Sequence, residues 1–288
     1  MYAIEIENLS KTYFDKKFKK VEALKSLHLQ VAQGEVLGFL GPNGAGKSTT
    51  IKTVVGLMKP TAGTVRILGQ PVTDPAARFH VGFLPENPAF YEFLTAREYL
   101  LFVGRTFKMP VQLLAQRCDE ALQLVDLVDA SKRPIRTYSK GMVQRLGIAQ
   151  TWIHDPDIFI LDEPMSGLDP IGRSMVKKII KDLKACGKTV FFSTHITSDV
   201  ESTCDRVAIL KNGELQSVDS VADIFMQGII GYDLHLRQRG GLITDSFVEK
   251  IELPAALARA DKEQSEVVLV EPRRKTLEQY FLDTIGKT

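Results

Sequence analysis

GPNGAGKST, which runs from Gly41 to Thr49, is the most informative stretch of this 288-residue sequence. It matches the pattern Gly-x-x-x-x-Gly-Lys-[Ser/Thr] in full. In that pattern the glycines let backbone N–H groups wrap around phosphate oxygens, and the dipole of the following helix favours negative charge. The predicted phosphate-binding loop consists of Gly41, Pro42, Asn43, Gly44, Ala45, Gly46, Lys47, Ser48 and Thr49.

The surroundings of the loop fit this interpretation. A buried apolar strand, residues 34–41, precedes it, and a helix with one apolar stripe begins at Lys47. Lys47 is expected to contact the β- and γ-phosphates, and Ser48 to offer its hydroxyl to Mg²⁺. A glycine turn between a strand and a helix is the alternative, and the satisfied strand–loop–helix context argues against it. The predicted stripe consists of Ile51, Val54, Val55 and Met58.

A second signal lies where another apolar strand ends, in IFILDEP, residues 158–164. Ligands of parallel α/β sheets bind at the carboxyl ends of the strands. Asp162 is expected to hold the Mg²⁺ shell through water, and Glu163 to act as general base or to position water for attack on the γ-phosphate. His195 follows the apolar strand of FFSTH and is expected to contact the γ-phosphate from the same edge. Solvated acids and a structural histidine are the alternatives.

The composition limits the class of protein. The chain is 44% hydrophobic and 25% charged, as globular proteins are, and its net charge of +2 gives no basic field for nucleic acid. The three scattered cysteines suggest neither a disulfide framework nor a zinc site, which fits a reducing cytosol. No apolar run reaches the roughly 20 residues of a membrane span, and the first residues are not typical of a signal peptide. We therefore expect a soluble chain, for which another chain must supply any spans.

The periodicity predicts an α/β fold with a helical insertion. Strand and helix patterns alternate along residues 1–219, but residues 86–154 are mainly helical in pattern. Asn212-Gly213 is typical of a type I′ hairpin turn. The predicted fold class is a phosphate-loop NTPase core with a mixed or parallel sheet, an antiparallel N-terminal β subdomain, the α-helical insertion subdomain, and a small C-terminal α/β extension. Residues 220–288 form that accessory extension, with strands in YDLHLRQ and EVVLVEP and a closing helix in TLEQYFLDTIG.

YSKGMVQR, residues 138–145, permits two interpretations. Ser139 is a good N-cap residue, which indicates a plain helix start. Gly141 is costly inside a first helical turn, but close approach of a backbone to phosphate requires such a residue. Because the segment lies between the phosphate loop and the acidic strand end, the nucleotide-facing interpretation is favoured. Ser139 can cap the helix and meet a nucleotide as well.

The ordered set GPNGAGKST, YSKGMVQR, ILDEP, SGLD and STH resembles the ATP-binding cassette of ABC transporters over about residues 1–215. The resemblance implies that ATP and Mg²⁺ bind and that ATP hydrolysis powers transport. It also implies action in pairs, as a homodimer or with a paired homologue, in which each ATP lies between the phosphate loop of one copy and the signature of the other. The signature corresponds to Ser139, Lys140, Gly141 and Met142. The loop at the dimer interface corresponds to Ser166, Gly167, Leu168 and Asp169.

The resemblance implies further contacts. Tyr13, in LSKTYF, matches the aromatic residue that stacks on adenine, with Phe14 as its neighbouring alternative. Membrane permease subunits are the implied partners, and residues 86–154 are where such a subunit docks. The expected location is therefore the cytoplasmic face of the cell membrane, as a peripheral subunit. Candidate docking aromatics, which could instead cap the core of the insertion, are Phe90, Tyr91 and Phe93.

Two departures from the family pattern stand out. Glu86 lies where the family usually has a glutamine that contacts Mg²⁺ and senses the membrane partner. A carboxylate can still ligate Mg²⁺, although it adds negative charge near the phosphates, and a simple loop acid is the alternative. In the signature, Lys140 and Met142 replace glycine and glutamine of the usual Leu-Ser-Gly-Gly-Gln. Lys140 either adds positive charge near the nucleotide or faces solvent.

Other functions receive less support. PENPAFYEFLTAREYL and TLEQYFLDT resemble bacterial multidrug, lipid, polysaccharide or sodium exporters more than importers. A soluble cassette protein that acts on nucleic acid or ribosomes usually has two cassettes or a long coiled-coil insertion, and this chain shows neither, so no nucleic acid is expected. A GTPase would carry an Asn-Lys-x-Asp segment, which is absent from the sequence, and a kinase would not need the signature.

Overall fold

The computed structural model describes residues 2–14, 20–238 and 241–286. The chain divides into two compact units, Met1–Val218 and Asp219–Thr288. The strands up to this division are β1 (Tyr2–Phe14), β2 (Lys20–Ala32), β3 (Val36–Leu40), β4 (Ala62–Ile67), β5 (Gln70–Pro71), β6 (Val81–Leu84), β7 (Ile158–Asp162), β8 (Thr189–Thr194), β9 (Arg206–Lys211) and β10 (Glu214–Ser220). The helices are α1 (Lys47–Val54), α2 (Pro75–Arg78), α3 (Ala96–Thr106), α4 (Val111–Leu124), α5 (Lys140–Trp152), α6 (Pro170–Ala185) and α7 (Thr197–Thr203).

A mixed sheet with the strand order β10-β9-β3-β8-β7-β6 forms the centre of the first unit. β3 pairs in parallel with β8 and β9, and β7 pairs in parallel with β6 and β8. Every residue of β3, β7 and β8 is buried, as expected for parallel strands that are covered on both faces. The carboxyl ends of these strands therefore meet at one edge of the sheet. Asn212 and Gly213 join β9 to β10 with φ angles of 50° and 80°, which confirms the predicted type I′ turn.

A second sheet, with the order β2-β1-β4-β5, confirms the predicted antiparallel N-terminal subdomain. β1 pairs antiparallel with both β2 and β4. It buries Ala3, Ile4, Ile6 and Leu9, and this cluster extends to the buried side chains of β3. The N-terminal sheet thus packs against the face of the mixed sheet that carries the phosphate loop.

α1 is shorter than its apolar stripe suggested. It ends at Val54, and Gly56 follows with a left-handed φ of 75°. Ile51, Val54 and Val55 are buried, whereas Met58 lies beyond the helix and is only half-buried. The predicted continuation to Met58 is wrong because the left-handed glycine ends the helix.

The helical insertion contains α3, α4 and α5, which bury their apolar faces in one cluster with the mixed sheet. Thr95 starts α3 through a capping box, in which its hydroxyl accepts from the backbone N–H of Glu98 and the Glu98 carboxylate accepts from the N–H of Thr95 at 2.8 Å. The helical pattern predicted from Thr95 to about 130 consists of two helices. Lys108, with φ 55°, and Pro110 interrupt it because neither continues a right-handed helix.

His154, just after α5, links the ends of two insertion helices. Its ring stacks on that of Phe107, with centroids 3.8 Å apart and planes 4° apart. Burial lowers the pKa of His154 to about 4, so the imidazole is neutral at neutral pH. Its Nε2 lies 3.2 Å from the carbonyl oxygen of Val81 on β6, which ties the insertion to the mixed sheet.

The second unit contains α8 (Val221–Gln227), β11 (Ile229–Arg237), β12 (Ile243–Glu249), α9 (Leu253–Lys262), β13 (Glu266–Arg274) and α10 (Leu277–Gly286). Its sheet is antiparallel with the order β12-β11-β13, and the two predicted strands and the closing helix correspond to β11, β13 and α10. The sequence patterns did not reveal α8, β12 or α9. Throughout the three described ranges of the chain, no helix has the length and apolar character that a bilayer span requires.

Candidate functional site

The loop between β3 and α1 has the shape that its glycines allow. Gly46 adopts φ 110°, and a Cβ added there would lie 2.7 Å from the carbonyl oxygen of Ala23 on β2. Gly41 is equally confined, because a Cβ there would lie 2.5 Å from the carbonyl oxygen of Leu210 on β9. The loop thus packs closely between β2 and β9. Because its glycines have no side chains, its backbone can approach a ligand closely.

Lys47, the first residue of α1, folds its buried side chain back along the loop. Its Nζ donates to the carbonyl oxygens of Gly41 at 2.7 Å and Pro42 at 3.3 Å. The same Nζ lies 3.6 Å from Oε1 of Glu163, which is also buried. The loop carbonyls therefore hold a single positive charge opposite the acidic end of β7.

Asp162, the last residue of β7, is paired in register with Ser193 of β8. The Ser193 hydroxyl donates to Asp162 Oδ1 at 2.6 Å and accepts from the backbone N–H of Glu163 at 2.9 Å. Asp162 Oδ2 is buried and has no hydrogen-bond partner among the described residues. A buried carboxylate oxygen without a partner is costly, so it fits a bound cation or an ordered water.

Several residues contact the side chain and the backbone of Glu163. His195 Nδ1 lies 3.0 Å from Oε2 and 3.1 Å from Oε1 of the Glu163 carboxylate. The Glu163 backbone is left-handed, with φ 49°. Gln144 of α5 donates from Nε2 to the carbonyl oxygens of Glu163 at 3.3 Å and Pro164 at 3.2 Å. The carboxylate is thus fixed between a lysine and a histidine, which is suitable for accepting a proton from water.

An open cavity of about 360 Å³ lies over Lys47 and Glu163, whereas Asp162 and His195 are not among the residues that line it. Glu86 lies at its wall, so the family position with the unusual carboxylate does face the phosphate loop. The described residues that line the cavity do not include Tyr13, whose hydroxyl instead lies 2.8 Å from Met58 Sδ. The cavity is lined by Ala23, Asn43, Gly44, Gly46, Lys47, Ser48, Thr49, Glu86 and Glu163.

The signature segment lies at a separate cavity of about 500 Å³, together with Gly167, Leu168 and Asp169. Ser139 caps α5, because its hydroxyl accepts from the backbone N–H of Met142 at 3.3 Å. Gly141 and Met142 also line this cavity. Within the described chain, the signature and the phosphate loop therefore do not share a cavity.

Lys140 is exposed, but its side chain covers another backbone. A Cβ built at Gly167 would lie 2.7 Å from Lys140 Cε and 3.3 Å from Lys140 Nζ. Gly167 is left-handed, with φ 70°, and Asp169 caps α6 by accepting from the backbone N–H of Gly172 at 2.7 Å. Ser166 continues the turn after β7 through its N–H, which donates to the carbonyl oxygen of Glu163 at 3.0 Å. The lysine that replaces a family glycine thus contacts the loop at 166–169.

Sequence reasoning missed Ser193 and Gln144. Ser193 is the serine of STH, two residues before His195. Pairing the ends of the apolar strands β7 and β8 would have placed it beside Asp162. Gln144 has no such local signal, because its role depends on the direction in which α5 crosses the end of β7.

The fold and the site define a class of protein, a phosphate-loop NTPase. A glycine loop joins the buried parallel strand β3 to a helix, a lysine lies at the end of the loop, and two acids lie at the end of β7, two strands along the same sheet. Within residues 2–14, 20–238 and 241–286, no group of three or more His, Cys, Asp and Glu side chains could hold a metal ion alone.

The chain belongs to the ABC transporter family, and it carries an ABC-type ATPase domain. The ABC transporter family model matches residues 24–166. An uncharacterized ABC transporter ATP-binding protein of Nostoc sp. is 50% identical over 208 residues, which are 72% of this chain and 62% of the relative. The uncharacterized ABC transporter ATP-binding protein YhcH of Bacillus subtilis is 36% identical over 99% of this chain and 96% of its own length. The chain thus spans less than two thirds of the Nostoc relative but nearly all of YhcH.

Other similar proteins carry more specific names. The Nod factor export ATP-binding protein I of Sinorhizobium fredii is 38% identical over 73% of this chain and 61% of the relative. A solved structure of the ATP binding subunit of an ABC transporter has a TM-score of 0.71 and 32% identity, and covers 78% of this chain and 92% of that one. A dimeric post-hydrolysis state of the ATP-binding cassette MJ0796, bound to ADP and Pi, has a TM-score of 0.71 and 27% identity, over 76% of this chain and 98% of that one.

Proposed function

We propose that this chain is the ATP-hydrolysing subunit of an ABC exporter, and that ATP closes a dimer of such subunits to drive transport. The observation that carries the proposal is the cluster formed by Lys47, Glu163 and His195, next in sequence to Asp162, whose buried Oδ2 has no hydrogen-bond partner in the described part of the chain. The name of the Nod factor export relative supports the export direction. The transport-related names of the relatives do not favour the alternative action on nucleic acid or ribosomes.

The residues divide the chemistry among themselves. Backbone N–H groups of Gly44, Gly46 and the residues after them cradle the phosphates, and Lys47 neutralises their charge. Ser48 and Asp162 would hold Mg²⁺, which when bound neutralises charge on the phosphate oxygens. The Asp162 fit rests on its buried, unpartnered Oδ2.

Glu163 is the group that takes the proton from the attacking water, since its carboxylate is buried at the cavity wall. His195 orients that carboxylate from 3.0 Å and reaches toward the γ-phosphate. Glu86, at the same cavity, is a further candidate Mg²⁺ ligand that also senses the partner subunit. Tyr13 remains the candidate for stacking on adenine, since its ring is partly exposed.

The separation of the two cavities supports the proposed dimer. Ser139, Lys140, Gly141 and Met142 line one cavity and the phosphate loop lines the other, so a second cassette must bring its signature to complete each ATP site. The dimeric cassette bound to ADP and Pi supports this arrangement. The partner cassette is a second copy or a paired homologue, and the loop Ser166–Asp169 faces it. Binding that favours the closed pair shifts the population toward closure.

The insertion offers a surface for the membrane permease subunits. Tyr91 is 54%, Phe93 is 74% and Phe102 is 46% exposed, and the ring of Tyr91 contacts those of Phe93 and Phe102. Phe90 is partly buried against Tyr99, so it belongs to the insertion core more than to the surface. A cluster of exposed aromatic rings marks an interaction site. We infer that a helix of the permease docks here and holds the cassette peripherally at the cytoplasmic face of the membrane.

The central experiment compares the wild type with Glu163→Gln and with the exposed control Glu92→Gln. Glu163→Gln is expected to lower Mg²⁺-dependent ATP turnover by about 100-fold or more while ATP still binds. The variant should form an ATP-dependent dimer in size-exclusion chromatography. Glu92→Gln should behave as wild type. Turnover of Glu163→Gln within threefold of wild type would remove Glu163 from the base role.

The docking surface is tested separately. Phe93→Ser combined with Tyr91→Ser should release the subunit from membranes that contain its permease and leave its own ATP turnover unchanged. Leu57→Ser, at an exposed apolar residue outside the insertion, is the control and should remain bound. Equal release of both variants would argue against this surface.

A further inference from the structure

Asp199, in the first turn of α7, is a buried acid that the chemistry above does not use. It is only 1% exposed. Its Oδ2 lies 2.8 Å from Nη2 of Arg173, and its Oδ1 lies 3.0 Å from Nζ of Lys177. Both cations come from α6 and are four residues apart, so they lie on one face of that helix. A single carboxylate thus fastens α7 to α6.

The two helices lead to different parts of the candidate site. α6 is capped by Asp169, the last residue of the loop proposed to face the partner cassette. α7 begins two residues after His195, whose ring contacts Glu163. The chain leads from Glu163 through the loop at 166–169 into α6, and the ion pairs of Asp199 join α6 to α7. α7 lies just after His195, and the contact of His195 with Glu163 closes this path.

α7 is short, and its polar contacts with α6 run through Asp199 and through the carbonyl oxygen of Ser198, which accepts from Nζ of Lys177 at 3.3 Å. The helix is seven residues long, and its N-cap, Ile196, provides no side-chain hydrogen bond. A helix this short is not stable by itself. Val200 packs the helix against Gly38 of β3, which sets its distance from the sheet. The ion pairs of Asp199 join the start of α7 to α6, so they contribute to the rotation of α7 and to the direction of the residues that precede it.

We propose that Asp199 is a positioning residue that holds His195 against Glu163 and couples this pair to the loop at 166–169. The proposal rests on the proposed function of those groups. A buried acid that loses one cation remains uncompensated, so weakening either ion pair should change the resting position of His195. The surface of α6 also provides a comparison, because Lys184 on the same helix pairs with Asp205, away from His195.

The test uses Asp199→Asn, Lys177→Met and the matched control Lys184→Met in the full chain. Histidines labelled with ¹⁵N give few signals, because the chain has five, and His195→Gln assigns the relevant one. We expect the His195 signals to shift in Asp199→Asn and Lys177→Met but not in Lys184→Met. ATP turnover should fall about tenfold in Asp199→Asn and about threefold in Lys177→Met, while the Kd for ADP stays within about twofold in all three.

Two results would overturn the proposal. One is an unchanged His195 signal in both Asp199→Asn and Lys177→Met. The other is a loss of turnover in Lys184→Met that equals the loss in Lys177→Met, since any ion pair of α6 would then suffice. If Asp199→Asn does not fold, Lys177→Met carries the comparison alone. A wild type without ATP turnover would refute the proposed function, whereas the histidine signals would still report on Asp199.

Discussion

Ser193→Ala removes one hydroxyl that serves both acids of the site. Ser193 is completely buried at the end of β8. It donates to Asp162 Oδ1 at 2.6 Å and accepts from the N–H of Glu163 at 2.9 Å. The variant therefore leaves a charged carboxylate and a backbone donor without these partners.

The two losses are of similar size. A hydrogen bond to a charged group contributes about 1.5–3 kcal/mol, and an unpaired buried donor costs about 1–3 kcal/mol. The two are not additive, so we expect the free energy of unfolding to fall by about 2–4 kcal/mol. The Glu163 backbone is left-handed and depends on this bond, so its carboxylate should also move, which lowers turnover by about tenfold or more.

Unfolding by urea can be followed by the fluorescence of Trp152, the single tryptophan, which lies in the first unit. Thr189→Val is the matched control, because Thr189 is buried at the other end of β8 and its hydroxyl accepts from the N–H of Gly34 at 2.9 Å. It should lose about 1–2 kcal/mol of stability with little change in turnover. The reasoning is refuted if Ser193→Ala keeps wild-type turnover, or if Thr189→Val loses as much.

Three further outcomes are expected. Lys47→Ala should weaken ATP binding by about tenfold or more, since the cavity loses its buried cation, and unchanged affinity in calorimetry would count against the phosphate cradle. Gly46→Ala should abolish nucleotide binding, because its Cβ would lie 2.7 Å from the Ala23 carbonyl at φ 110°; a bound fluorescent nucleotide analogue would contradict this. Burial lowers the pKa of His154 to about 4, whereas the pKa of a histidine in the unfolded chain is about 6.5. Between these pH values the unfolded chain binds a proton at His154 that the folded chain does not bind. The free energy of unfolding of the wild type should therefore fall as the pH drops from about 6.5 to 4. Urea unfolding at several pH values should show a flatter dependence for His154→Phe but not for His28→Gln, at an exposed position.

The sequence was most informative where function depends on local patterns. The glycine loop needs its own residue types in a fixed order, so Lys47 and its surroundings could be recognised directly. The acidic end of β7 could be recognised because apolar parallel strands expose only their ends to ligands. The alternation of strands and helices and the helical insertion also followed from periodicity.

Features that depend on packing could not be predicted in this way. Ser193 matters through its register with Asp162, and Gln144 through the direction of α5, neither of which a single segment encodes. The contact of Lys140 with Gly167 joins the start of α5 to the loop at 166–169, and neither segment predicts it alone. β12 was missed because most of its residues are exposed on both faces, so it lacks the alternation by which strands are recognised.

The left-handed backbone of Glu163 has a consequence for how this position can evolve. A non-glycine residue at φ 49° costs about 1–2 kcal/mol relative to ordinary backbone. Selection for thermal stability alone should therefore replace Glu163 by glycine or asparagine, which tolerate this conformation, and thereby eliminate the base. The glutamate persists only under selection for turnover. Libraries of this protein that are sorted by stability and by ATP hydrolysis should consequently enrich opposite residues at position 163.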